Sequence, residues 1–221
     1  MNFSTLHPLY PMKPPIYQPF FRKTELDKHD LLPFFEKTLG GLEQELSMIH
    51  STMVSEEDSP FDWNETAWVG LLNNAIVRSY QAQVTTIQEY ALTKGKGEKG
   101  RADLLVALKE SEKVKYLLFE AKWWIENKKD LEGEMDYTNI LRQAETYAKA
   151  ESKFYQRKNL YLVAIVFGWL NTPEKVAIAE RYMNHWDEND ENETHFCGLY
   201  HDKKRGVWIY GKVLPFSSAA S

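Results

Sequence analysis

Apolar positions along the chain fall into two periodicities, and these divide it into helices and strands. Residues 24–50 repeat at three and four (Leu31, Leu32, Phe35, Leu39, Leu42, Leu46, Ile49). Pro33 and Gly40-Gly41 interrupt the repeat, which predicts two short helices. Trp68, Leu71, Leu72, Ala75 and Ile76 continue at helical spacing behind Asp62 and Glu65, the two ends of a capping box. Val84–Leu92, Arg101–Leu108 and Val114–Lys122 are strand-like runs, the last two joined by the polar turn Lys109–Lys113. Ile140, Leu141, Ala144, Tyr147, Ala148 and Tyr155 predict a long helix over 136–156. Leu160–Trp169 is an almost unbroken apolar run, the pattern of a strand buried on both faces. Thr172-Pro173-Glu174 opens a further helix, and Thr194–Tyr200 with Gly206–Leu214 reads as a terminal hairpin.

The order helix, three strands, helix, strand predicts an α/β fold, a central mixed sheet flanked by helices. A helical extension precedes this core, and a C-terminal helix plus β-hairpin follows it. The expected divisions are 1–23, an extended Pro-rich arm; 24–59, the helical extension and linker; 60–170, the core; and 171–221, the helix and hairpin of the same domain.

Composition narrows the function classes. The 221 residues are 43% hydrophobic, which suits one packed core, and no apolar run reaches the roughly 20 residues of a membrane-spanning helix. No signal-like stretch opens the sequence, and Cys197 is the single cysteine, so the reading is a cytoplasmic protein without internal disulfides. With 27 Lys and Arg against 32 Asp and Glu, the net charge is −5. Global charge does not attract nucleic acid, and only a local patch would. One exists: Lys94–Lys129 holds ten basic and six acidic residues.

The anomaly in this pattern is Glu120-Ala121-Lys122, which ends the apolar run Tyr116–Phe119. Alternation puts Glu120 and Lys122 on one face of a strand expected to be buried. A cross-strand ion pair at a sheet edge is the plain structural alternative, but flanking Phe119 and Trp123 argue for a central position. Centring the preceding turn between Ser111 and Glu112 sets Asp103 across from Glu120, and a centre half a residue earlier makes them near neighbours. Carboxylates roughly 5 Å apart repel unless one is protonated or a cation lies between them. Mg²⁺ or Mn²⁺ suits such oxygen donors, and Lys122 is placed to orient or deprotonate an attacking water.

Asp103, sixteen intervening residues, and Glu120-x-Lys122 resemble the bipartite motif of the PD-(D/E)XK nuclease superfamily. The resemblance covers about residues 60–170 and implies a restriction-endonuclease-like αβββαβ core. It implies Mg²⁺, with Mn²⁺ as substitute, held by Asp103 and Glu120, and a water-assisting role for Lys122. Glu65 matches the place of a further ligand on the first core helix, although a capping box explains it equally well. Gln143 and Tyr147, one turn apart, match the Gln-x-x-x-Tyr of the RecB-like branch. Ala102 stands where the motif has proline. The implied activity is Mg²⁺-dependent hydrolysis of DNA phosphodiester bonds. The alternative is a catalytically silent protein of the same fold that binds nucleic acid or a protein partner. The arm is the expected contact for a homodimer or a protein partner.

Lys96, Lys99 and Arg101, in the glycine-bearing loop before Asp103, are candidate phosphate contacts, with an ordinary solvated turn as the competing reading. Gly95–Gly100 matches G-x-G-x-x-G, but a strand follows it where a dinucleotide site needs a helix. His185, His195, Cys197 and His201 have no zinc-finger spacing, and Asp187–Glu193 lacks the glycine of an EF-hand loop.

Overall fold

The computed structural model describes residues 16–52, 64–93, 99–125, 159–184 and 195–215. The chain runs β1 (Ile16–Phe21), α1 (Lys23–Asp27), α2 (Leu32–Thr52), α3 (Glu65–Tyr80), β2 (Val84–Thr93), β3 (Lys99–Glu110), β4 (Lys113–Ile125), β5 (Leu160–Leu170), α4 (Pro173–Asn184), β6 (Phe196–His201) and β7 (Gly206–Pro215). The strands form one seven-stranded sheet in the order β1-β6-β7-β5-β4-β3-β2. The β4–β5 pair is parallel and the other pairs are antiparallel, so the sheet is mixed and the fold is α/β. Among the described residues no helix is long and apolar enough to cross a membrane. The helix expected over 136–156 lies outside the described residues.

β4 and β5 occupy the middle of the sheet because their sequences can be buried on both faces, and β5 is enclosed along nearly its whole length. On one face, Leu117, Phe119 and Ala121 of β4 join Val163, Ile165 and Phe167 of β5 beneath α2 and α3. Phe35 of α2 stacks on Phe196 at 4.3 Å, and the Tyr200 hydroxyl donates to the Leu39 carbonyl at 3.0 Å. These contacts lock the long helix to the C-terminal hairpin. On the opposite face the apolar residues divide into two clusters. One packs Val166, Tyr210, Trp208, Cys197 and Leu199 against Val176, Ala179 and Met183 of α4. The other joins Ala102, Leu118, Leu160 and Leu162. As the sequence indicates, Thr172 caps α4 through its hydroxyl, which accepts the Lys175 N–H at 3.4 Å, ahead of Pro173 in the first turn.

Three local readings differ from the structure. Residues 16–21, expected as part of an unsupported arm, form an edge strand paired with β6, where Pro19 faces Gly198. An edge tolerates proline because the missing N–H removes no bond from the interior of the sheet. The ring of Tyr17 stacks on Tyr200 at 4.4 Å and passes 3.1 Å from where a Cβ at Gly198 would sit. The second difference is that α2 is continuous through Gly40-Gly41. Pro33 falls in its first turn, where no intrahelical N–H bond is lost. Gly41 serves packing, since a Cβ there would meet Ser79 Oγ at 2.5 Å and the Ala75 carbonyl at 3.1 Å on α3. The third is the start of α3. Asn64 is the N-cap, its side chain accepting the Ala67 N–H at 3.1 Å, so Glu65 is the first helical residue rather than the third of a capping box with Asp62.

The two adjacent glycines of α2 therefore separate helix propensity from interhelical distance. Gly41→Val should lower unfolding free energy by about 1–3 kcal/mol through overpacking against α3. Gly40→Ala, with no atom within 4 Å of the new methyl, should be neutral or raise it by up to ~1 kcal/mol. Urea denaturation of both variants beside the wild type checks the pair of outcomes.

Candidate active site

Glu120 and Lys122 project from the face of β4 opposite α2 and α3, since the alternate residues Phe119 and Ala121 fill the core beneath those helices. Glu120 is only 3% exposed. Lys122 Nζ lies 2.8 Å from Glu120 Oε1, the bond that compensates this buried charge.

The β3–β4 hairpin has the register that brings Asp103 to this pair. Glu110 faces Lys113 across the two-residue turn Ser111-Glu112, in which Ser111 has φ 51°, and the ladder continues to Leu104 opposite Phe119. The next pair in this register would be Asp103 with Glu120, but the ladder stops one step before it. There the Ala121 N–H donates to Asp103 Oδ2 at 2.6 Å, a side-chain acceptor where backbone pairing has ended. The β2–β3 ladder skips at the same level: Gln88 pairs with Leu104 and Tyr90 with Ala102, while Glu89 between them has φ 48°. Ala102 and Leu104, which regular alternation would put on one face, belong to different apolar clusters. β3 is thus locally distorted at Asp103, and the distortion turns its carboxylate toward β4.

Among the described residues, the charges acting on this group are mostly acidic. Burial raises the Glu120 pKa to about 7, assisted by the negative charges of Asp103 and Glu65 and opposed by the Lys122 hydrogen bond. Burial also raises that of Asp103, with Glu65 and Glu89 adding to the shift while the Ala121 N–H and Lys122 oppose it. For Lys122, burial disfavours the charged form, but the bond to Glu120 and the charges of Glu120, Asp103 and Glu65 outweigh it and raise its pKa.

Glu65, Asp103, Glu120 and Lys122, separated widely in sequence, therefore act on one another electrostatically. Glu65 enters this group from the first residue of α3, and with Asn64 as cap it is not needed for capping. Among the described residues, no group of three His, Cys, Asp or Glu side chains is arranged to hold a metal ion, so the expected trio does not form a ready-made cage. Gln143, Tyr147 and Lys96 lie outside the described residues. Lys99 and Arg101 belong to β3, opposite Thr93 and Ala91, and their side chains are likewise outside the description. Glu89 is an addition that the sequence reading missed. Its signal was the second hairpin: pairing Thr93 with Lys99 across the glycine-bearing loop carries Glu89 to the level of Asp103.

His195 and Cys197 serve the sheet. The imidazole Nδ1 of His195 accepts the Val213 N–H at 3.3 Å, and Cys197 is buried beside Met183, 3.5 Å between sulfurs. No family model matches this chain, and no curated protein or solved structure matches it either.

The raised pKa of Glu120 has a definite sign in stability. The folded protein holds this proton more tightly than the unfolded chain does, so its stabilising effect is complete below pH ~4.5 and fades as pH rises toward about 7. Glu120→Gln removes this contribution. In metal-free buffer, the stability of the wild type relative to Glu120→Gln should fall by on the order of 1–3 kcal/mol across that window. Paired urea titrations at pH 4.5, 5.5, 6.5 and 7.5 measure it, and a constant difference would contradict the assignment.

Proposed function

We propose that the protein is a Mg²⁺-dependent nuclease that hydrolyses phosphodiester bonds of DNA, with Asp103, Glu120 and Lys122 at its active site. The observation that carries this reading is the interruption of β3 at Asp103, which aims a second, half-buried carboxylate at the Glu120–Lys122 pair on the neighbouring strand. The element order supports it as well. Helix α3, the antiparallel strands β2, β3 and β4, and then β5 parallel to β4 follow the course of a restriction-endonuclease-like core. A parallel return requires a crossover, and residues 126–159 are long enough to supply one with a helix.

The donor chemistry fits a small hard cation, because Mg²⁺ takes one or two carboxylates and fills its other positions with water and substrate phosphate oxygens. Asp103 and Glu120 would hold it, and Glu65 and Glu89 add negative charge around them. Bound there, Mg²⁺ would polarise the scissile phosphate and make an attacking water more acidic. The chain's own contribution centres on Lys122. Its raised pKa keeps it cationic at neutral pH, so it orients the attacking water and offsets charge developing on phosphate rather than accepting a proton. Asp103 fixes the strand geometry through the Ala121 N–H, which holds the two carboxylates at a set separation.

The second reading, a catalytically silent protein of this fold that binds nucleic acid or a protein partner, draws on a specific observation. The Glu120–Lys122 pair is closed at 2.8 Å, as a purely structural ion pair would be. Incubation with single-stranded, duplex and branched DNA separates the two. The nuclease cleaves at least one of them with Mg²⁺ or Mn²⁺ and none with EDTA, while Ca²⁺ supports binding with little turnover. Asp103→Asn, Glu120→Gln and Lys122→Ala should each reduce cleavage by roughly 10²–10⁴. Binding without cleavage under every metal condition would establish the silent reading instead.

Residues near the loop before Asp103 yield a separate expectation. Replacing Lys96, Lys99 and Arg101 together with Ala should lower the slope of log affinity against log salt by about 0.9 for each duplex phosphate that the loop no longer neutralises. An unchanged slope, measured by anisotropy in Ca²⁺, would place that loop away from the substrate.

A further inference from the structure

Among the described residues, six that are not glycine have left-handed backbone. Five of them end or join elements. Gln81 caps the C-terminus of α3, Ser111 and Lys203 lie in the turns of the β3–β4 and β6–β7 hairpins, and Asp30 and Asn159 stand between elements. The sixth, Glu89 at φ 48°, lies in the interior of β2. An L side chain in that region strains the backbone, and such strain persists only where the surroundings hold it, most often at functional sites.

Strand register shows what Glu89 faces. Gln88 pairs with Leu104 and Tyr90 with Ala102, so Glu89 stands directly across from Asp103 with no residue inserted in either strand. The β3–β4 register would set Asp103 across from Glu120 in the same way. Glu89, Asp103 and Glu120 thus form one lateral row over three neighbouring strands, and in regular strands their Cβ atoms would follow one another at about 5 Å, an arrangement that like charges destabilise. Neither pair of this row is a ladder pair: β2 and β3 skip it and resume, and β3 and β4 stop before it. A strand commonly re-aims a side chain by inserting a residue as a bulge. Here a rotated residue takes the place of an inserted one. β2 accommodates it as an outer strand with β3 as its one neighbour in the sheet. With the Glu89 backbone turned, Asp103 is released from pairing on both sides, and its carboxylate accepts the Ala121 N–H at 2.6 Å.

We propose that Glu89 is a positioning residue for the hydrolysis: its left-handed backbone opens the sheet at Asp103 and so aims that carboxylate at the Glu120–Lys122 pair. The proposal rests on the nuclease reading and deepens it by naming what sets the geometry of the site. The backbone conformation at Glu89 acts here, rather than its charge.

Two uncharged replacements in the full chain separate conformation from charge. Asparagine tolerates the left-handed region, whereas β-branched valine resists it and suits a regular strand. With Mg²⁺ and a labelled DNA oligonucleotide, Glu89→Val should lower kcat about a hundredfold, the scale of an ångström of misplacement, while Glu89→Asn lowers it less than about tenfold. KM should change little in either, since the loss falls on the transition state. In NMR spectra the Ala121 amide resonance should stay near its wild-type position in Glu89→Asn and move in Glu89→Val. Glu89→Thr, also β-branched, repeats the comparison should the valine variant not fold. The wild type supplies a measurement that needs no variant: a strong amide-to-Hα NOE within Glu89 marks the left-handed backbone. Equal losses in the asparagine and valine variants, wild-type kcat in a folded Glu89→Val, or an ordinary strand pattern at Glu89 in the wild type would each overturn the proposal and leave the nuclease reading standing. If the wild type cleaves no DNA, the nuclease reading fails on that ground, while the Ala121 resonance and the NOE still decide whether Glu89 sets the geometry.

Discussion

A buried carboxylate on an interior strand of the sheet is the constraint around which the rest is arranged. β4 lies between β3, with which it pairs as far as Phe119, and β5, with which it pairs through Glu120 and beyond, so Glu120 cannot retreat to solvent by fraying of an edge. Removing such a charge from water costs several kcal/mol, and a neighbouring cation recovers only part of it; an apolar residue of the same size would often leave the fold more stable. The protein nevertheless keeps the acid, ties it to Lys122, places small Ala164 beside it, and gives up ladder pairing where β3 passes.

The opposite face shows what the sheet does when no such demand is made. Leu104, Val106, Leu117, Phe119, Val163, Ile165 and Phe167 form a continuous bed for Phe35, Leu39, Trp68, Leu72 and Ile76, and α2 and α3 are held together by Gly41 at their close approach. Functional side chains held within a fraction of an ångström need rigid backbone behind them. Here the apolar half of β4 supplies that rigidity directly, since Phe119 and Ala121 alternate with Glu120 and Lys122. Site and scaffold are the two sides of one strand.

Much of this was readable in the sequence because it depends on local periodicity. The apolar run of β5, the cap of α4, the Ser111-Glu112 turn and hence the level of Asp103 all follow from residues close to one another. What escaped depends on contacts between distant segments. The prolines before Ile16 suggested a free arm, yet whether residues 16–21 pair is decided by β6, where Gly198 accommodates the Tyr17 ring. Gly40-Gly41 looked like a helix break because nothing local indicates that Ala75 and Ser79 approach one of them. Asp62 and Asn64 are both good caps, and spacing to Glu65 favoured the wrong one. Glu89 required two hairpin registers to be right at once. The chemistry of Asp103, Glu120 and Lys122 was visible as composition out of place on a strand; the kink that brings them together was not.

The pairing of β1 with β6 also sets an order of assembly. Tyr200 bonds to Leu39 across 161 positions, and β1 adds to the sheet only through β6. At a synthesis rate of roughly 5–20 residues per second, the N-terminal strand waits on the order of ten seconds or more before the hairpin that receives it exists. Until then its apolar residues have no strand to join. The proline within β1 gains a meaning in that interval: Pro19 removes a backbone donor from a waiting strand, which makes it a poor template for neighbouring nascent chains while it stays competent for the one partner that arrives last.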